Sequence, residues 1–293
     1  TALATSLVAS SSYAGEMSVS GSATLNYSGL STNSNSNPWT MGDSVTFSGG
    51  GDLDNGMTVG VSYELDGGNY DDYKLTLGLG DGMGTVTFSG NSVNAGGVDM
   101  IKDIVPTAYT AVYENTNAVD NGIAAGIGGR NTLGMWGYKN TVGDLTVSLG
   151  YNAENDTAAT DDAESSIGLQ YTMDSITAVA GRFDDGSIAI HDTYGLKYTA
   201  GAITAGIQRA DINYDGTTND QESMHYGVSF AVNESLSVSA GRQKVEIESA
   251  VDDEVNTGVS ASYTMGSITF KGGFNEVTSA GGAAGSDAEV TML

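Results

Sequence analysis

Alternating runs of polar and apolar residues, joined by tight turns at one end and long acidic loops at the other, predict an all-β fold, a 16-stranded antiparallel transmembrane β-barrel. Three observations carry that prediction: strict period-2 alternation, apolar faces that finish in Tyr, Phe or Trp, and polar faces made mostly of Ser, Thr, Gly and Asn. Composition alone points elsewhere. The 293 residues include 42 Gly, 2 Pro and no Cys, and 36 acidic against 10 basic residues give a formal charge of −26. That combination borders on the disordered class. Only the arrangement of the residues argues for a fold.

Several functions are excluded at once. Without Cys there is no disulfide framework and no thiolate metal site. Two histidines, His191 and His225, lie far apart at loop edges without ligand spacing, so both read as surface residues. No run reaches the roughly 18 apolar residues of a membrane helix. A field this negative repels phosphate, which excludes nucleic acid as a partner. No nucleophile, base and orienting group stand together, so no catalytic site and no enzyme are expected. The glycines at 80 to 84 precede no helix, which argues against a phosphate-binding loop.

Taken in order, residues 1–14 are small and apolar and end in Ser12-Tyr13-Ala14, an A-x-A-like site; they read as the C-terminal part of a signal peptide. From Met17, the residues Met17, Val19, Ala23, Leu25 and Tyr27 alternate with Ser18, Ser20, Ser22, Thr24 and Asn26. The two sets fall on opposite faces of a strand. The same grammar recurs at Met57 to Asp66, Leu145 to Asn152, Ser166 to Met173, Tyr226 to Val232 and Val259 to Met265. Y-T-M-D-S-I-T at Tyr171, Y-T-A-G-A-I-T at Tyr198 and Y-T-M-G-S-I-T at Tyr263 read as hairpin turns.

The predicted strands are 17–28, 39–49, 56–66, 70–80, 83–90, 131–139, 144–152, 164–173, 175–183, 191–200, 202–211, 222–232, 235–245, 254–265, 267–275 and 286–293. Most match the roughly 9–11 residues of a tilted membrane strand. In hydrocarbon every backbone N–H and C=O needs a protein partner, and only a closed barrel provides that with strands. Sixteen strands leave room for an aqueous lumen. The polar face then looks into water and the aromatic-tipped face into lipid. The rival reading is a secreted acidic β-rich adhesin or surface-layer protein with calcium-binding loops.

This pattern resembles the general-diffusion porins of Gram-negative outer membranes, particularly the alphaproteobacterial type, over residues 15–293. The opening S-V-S-G-S-A-T-L-N-Y carries part of the likeness. The resemblance implies a homotrimer in the outer membrane, in contact with lipopolysaccharide, through which small hydrophilic solutes and ions diffuse passively. It also implies that the long third loop, about residues 91–130, folds inward as a constriction. Thr24 and Ser44 are uncharged where such proteins commonly carry a basic residue. The chain stops at Thr291-Met292-Leu293 where they close on Phe, so the resemblance implies a truncated final strand.

Asp99, Asp103, Glu114 and Asp120 on the long loop would make the constriction negative and the channel cation-preferring. The bland reading makes them loop acids in water. By alternation Lys74, Lys197 and Lys271 point inward, as does Glu64; with Arg130 and Lys139 they are the wall residues facing the loop acids in the family's arrangement. Arg182, Arg209 and Arg242 fall in phase with the apolar set at strand ends, the level of lipid headgroups, unless a bulge turns them inward. Asp161-Asp162 and Asp184-Asp185 are candidate weak Ca²⁺ ligands, although without EF-hand spacing solvated loops remain the default and no other cofactor is expected.

Overall fold

The computed structural model describes residues 9–11, 14–30, 37–67, 69–90, 96–114, 134–153, 162–186, 188–216 and 219–293, with side chains from residue 17 onward except 30, 69 and 70. Its strands are β1 (Ala9–Ser11), β2 (Ala14–Leu30), β3 (Trp39–Asp52), β4 (Thr58–Asp66), β5 (Asn69–Gly78), β6 (Thr85–Gly90), β7 (Met135–Val142), β8 (Leu145–Asn152) and β9 (Glu164–Met173). They continue as β10 (Ile176–Asp184), β11 (Ala189–Ala200), β12 (Ile203–Tyr214), β13 (Gln221–Ala231), β14 (Leu236–Ile247), β15 (Glu254–Met265), β16 (Ile268–Thr278) and β17 (Ala288–Met292).

From β2 onward each strand pairs antiparallel with the next, and β17 returns to β2 through Val290↔Leu30, Thr291↔Gly29 and Met292↔Ser28. Leu293 and Tyr27 exchange backbone hydrogen bonds of 2.9 and 3.0 Å at the seam. The sixteen strands β2 to β17 thus close into a barrel, as the alternation predicted. Of the residues read as a leader, 9–11 form β1, paired to β2 through Ala9↔Met17, and Ala14 opens β2. Residues 1–8, 12 and 13 lie outside the described residues.

The turns follow their chemistry. Asp174-Ser175 joins β9 to β10 with Asp174 at φ 51°, and Gly143, Gly201 and Gly266 take the same left-handed first position at φ 59°, 59° and 61°. That conformation matches the twist of a two-residue hairpin, which is why Asp and Gly stand there. Away from β1, among the described residues, the pairing register is irregular only between Tyr63 and Leu65 of β4 opposite β5.

Alternation sorts the side chains. Leu25 and Met41 are 67% and 69% exposed on the outer face, in line with Val61, Leu196, Tyr198 and Val259. Tyr27 and Trp39 meet edge-on at 5.0 Å between ring centres, and Phe88 lies 4.9 Å from Trp136. On the opposite face hydroxyls bridge neighbouring strands: Ser18–Ser48 at 2.7 Å, Thr141–Thr146 at 2.9 Å, Thr199–Thr204 at 3.1 Å and Thr264–Thr269 at 3.1 Å. These rungs give hydroxyls on the polar face hydrogen-bond partners.

Toward the loop ends of β10 to β16 the polarity of the two faces inverts. Val179, Phe183, Ala210, Ile212, Val245 and Val277 are buried inside, while Arg182, Arg209 and Lys244 stand outside. The alternation keeps its phase and only the chemistry changes.

Candidate functional site

Segment 96–114 follows the inner face from β8 to β16. It contains one 3-10 turn, Gly97–Ile101. Gly97 N–H donates to Ser148 Oγ at 2.7 Å. Gln208, buried on β12, donates from Nε2 to Ile101 O at 3.1 Å and accepts from Ile104 N–H at 3.2 Å. Ala108 N–H reaches Ser239 Oγ at 2.9 Å, Tyr109 N–H reaches Ser260 Oγ at 3.1 Å, and Asn275 Nδ2 donates to Ala111 O at 2.8 Å. Each of these anchors on the wall is an inward Ser, Gln or Asn. Val98, Ile101, Ile104 and Val105 pack with Val179, Phe183 and Ala210 in one buried cluster. Hydrogen bonds set the height of the segment and the cluster fills the space beneath it.

The wall under the segment is made of glycine. Gly168 pairs with Gly181 across β9 and β10, and Gly206, Gly227, Gly241 and Gly258 pair in succession from β12 to β15. A Cβ on Gly181 would stand 2.7 Å from Ile101 Cδ1, on Gly195 2.7 Å from Ile104 Cγ2, and on Gly206 2.7 Å from Pro106 Cδ. On Gly227 it would meet Val105 Cγ1 at 2.9 Å and on Gly273 Thr110 Cγ2 at 3.1 Å; on Gly168 it would collide with Gly97 O. Glycine weakens a strand, and its repetition at one level marks close backbone approach.

On the other side an open cleft of about 700 Å³ is lined by Lys74 of β5, Lys139 of β7, Thr76, Thr87 and Ser148, with Asp99 and Met100 of the segment. Wall lysines and a loop carboxylate therefore share one space. Lys271 Nζ lies 5.5 Å from the centre of the Tyr109 ring. Lys197 and Glu64 hold inward register positions on β11 and β4. Asp120 and Arg130 lie outside the described residues.

The segment's own charges are partly engaged. Asp99 accepts from Lys102 Nζ at 2.7 Å, and Glu114 accepts from Thr110 Oγ1 at 2.8 Å. Asp103 accepts from Tyr113 Oη at 3.3 Å. Although its surface is open to the lumen, loss of bulk water around it raises the Asp103 carboxyl above its ordinary value, against the lowering pull of Lys102 and of the Tyr113 hydrogen bond.

The arginines face outward in unbroken register, so no bulge turns them into the lumen. Arg182 grips Asp192 of the next strand through two 2.7 Å bonds. Arg209 lies 3.0 Å from Asp211 and 2.9 Å from Glu222; Lys244 lies 2.6 Å from Glu246 and 2.8 Å from Asp253. Arg242 shares this face, opposite Tyr226 and Thr257. The sequence singled out the arginines but missed their acidic partners, whose outward phase on β11 to β15 was the available signal.

The histidines correct an expectation. Both are buried, His191 at 4% and His225 at 5% exposure, because their inward positions lie in the stretch where the wall turns apolar. Phe183 packs on the first at 5.2 Å and Tyr113 on the second at 5.6 Å. Asp162, Asp184 and Asp185 belong to no grouping of three or more His, Cys, Asp or Glu among the described residues, and Asp161 lies outside those residues.

A closed barrel with an apolar exterior and a lumen edged by hydroxyls and lysines defines a β-barrel channel protein of an outer membrane. The family profile of Gram-negative porins matches residues 1–293, and the chain belongs to that family. Family and fold together point to an outer-membrane diffusion channel. No curated protein sequence matches the chain significantly. Among solved structures, a porin refined at 1.8 Å resolution has a TM-score of 0.69 at 16% identity over 94% of this chain and 99% of that one. A triple mutant of the Rhodopseudomonas blastica porin gives 0.66 at 15% identity over 94% and 98%. OmpT of Vibrio cholerae gives 0.71 at 11% identity over 98% of both chains.

Proposed function

We propose that the channel passes small hydrophilic solutes and prefers cations, with segment 96–114 as part of its constriction. The observation that carries this reading is the shared cleft, lined by the carboxylates Asp81 and Asp99 together with Lys74 and Lys139, with more acids than bases along the segment itself. Asp103 and Glu114 add carboxylates along the segment beyond the Asp99–Lys102 pair, whose charges offset each other. Carboxylates at a narrow passage raise the local cation concentration and disfavour anions. Three copies would assemble side by side in the outer membrane. The bulky apolar groups Leu25, Trp39 and Met41, at the loop end of the outer face of β2 and β3, support that packing; at the corresponding level β10 to β15 carry charge. The outer ion-paired belt would stand at the level of lipopolysaccharide headgroups.

Liposome swelling with the purified protein tests the reading. Small neutral sugars and cationic amino acids of like size should enter faster than anionic ones. Equal entry of anions and cations would remove the charge preference, and no swelling with any solute would remove diffusion of small solutes.

A further inference from the structure

We infer that the wall glycines, more than any side chain of the segment, set the calibre of the channel, by letting segment 96–114 lie flush as a fixed partition and so confining solutes to the side of β5 to β8. This rests on the channel reading. Gly206, Gly227 and Gly241 stand in direct cross-strand pairs, so the wall has no side chains along that row. A Cβ on Gly206 would press on Pro106 Cδ at 2.7 Å and on Val105 Cα at 3.2 Å, a contact that includes backbone and gives only if the segment moves. At Gly195 the obstacle is Ile104 Cγ2 at 2.7 Å, with Val179 Cγ2 on the wall at 3.0 Å. Hydrogen bonds from Gln208 hold Ile101 and Ile104 down at this same place. Packed matter of this kind cannot absorb added atoms, so a side chain placed under the segment lifts it into the lumen.

Elsewhere the same wall has room. A Cβ on Gly42, inward on β3, meets nothing within 4 Å. Gly206 and Gly42 thus share their chemistry and differ in what lies above them.

Single-channel recording in planar bilayers on Gly206→Val, Gly195→Val, Gly195→Val with Ile104→Ala, and Gly42→Val tests it, with heat-modifiable gel mobility confirming a folded barrel. Gly206→Val and Gly195→Val should each lose roughly a third of the conductance through overpacking beneath the segment. Ile104→Ala should restore most of that loss in the Gly195 background, and Gly42→Val should conduct as the parent does. If Gly42→Val and Gly206→Val behave alike, or Ile104→Ala restores nothing, the glycines do not set the calibre. Should Gly206→Val fail to fold, Gly195→Ala with and without Ile104→Ala decides by the same restoration. Absence of channels from the parent protein would instead overturn the channel reading beneath the proposal.

Discussion

Glu254 begins β15 inside the barrel with no exposed surface, and its carboxylate accepts 2.7 Å hydrogen bonds from Asn256 Nδ2 and from Gly281 N–H. Removing an acceptor strands buried donors, which costs about 1–3 kcal/mol per group. Glu254→Leu should accordingly lower the temperature at which the protein loses its folded gel mobility, whereas Glu254→Gln should recover part of the loss. Asp103 supplies a second prediction, from its raised pKa. The folded protein favours the protonated form, so the stability penalty of ionisation appears as pH rises through the unfolded-chain value and is complete above the folded one. The corresponding loss of charge on acidification begins at a higher pH than for an ordinary carboxylate. Cation selectivity, followed by reversal potential against pH, should start to fall in that range, and Asp103→Asn should abolish the step. At this scale phase alone assigned Lys74, Lys197 and Lys271 to the inward set, whereas Lys139 entered only through the resemblance. The sequence misled at His191 and His225, because Phe183 of the neighbouring strand covers the first and Tyr113, more than 100 residues away in the chain, covers the second.

Among the elements, segment 96–114 depends on the wall more than on itself. Gln208 is its most economical anchor: one buried amide serves Ile101 O, Ile104 N–H and, at 2.9 Å, Thr193 Oγ1. Gln208→Leu keeps the volume and removes all three bonds. Hydrogen exchange of the Ile104 amide should accelerate by about tenfold or more, the equivalent of losing about 1.4 kcal/mol of local protection, and open-channel current noise should rise with it. Unchanged exchange would show that the apolar cluster alone holds the segment. Part of this was written in the sequence. Val98, Ile101, Ile104 and Val105 recur at near-helical spacing within a loop otherwise read for its acids, and glycines recur in phase with the polar set on strand after strand. What joins the two signals is a long-range register that no local window contains.

For the whole molecule, all sixteen strands could be read in advance because each repeats the same local alternation between lipid and lumen, and their ends fall within a few residues of those observed. Among the described residues, many of the glycines that looked like disorder form turns or the seat of the segment, while others such as Gly42 stand in the open lumen wall. The inverted stretch toward the loops explains the rest of the composition: charges move outside and apolar groups inside where the wall leaves the apolar band. A channel whose preference comes from lumen carboxylates should discriminate more strongly at low salt, since the screening length falls from about 10 Å at 0.1 M to about 3 Å at 1 M. The most direct test is the reversal potential of the purified full chain in a planar bilayer under a tenfold KCl gradient near neutral pH. Long-lived ohmic channels are expected, with a reversal potential that has the sign of potassium preference and shrinks as salt is raised. Channels that prefer chloride, or no channel activity from protein with folded gel mobility, would contradict it.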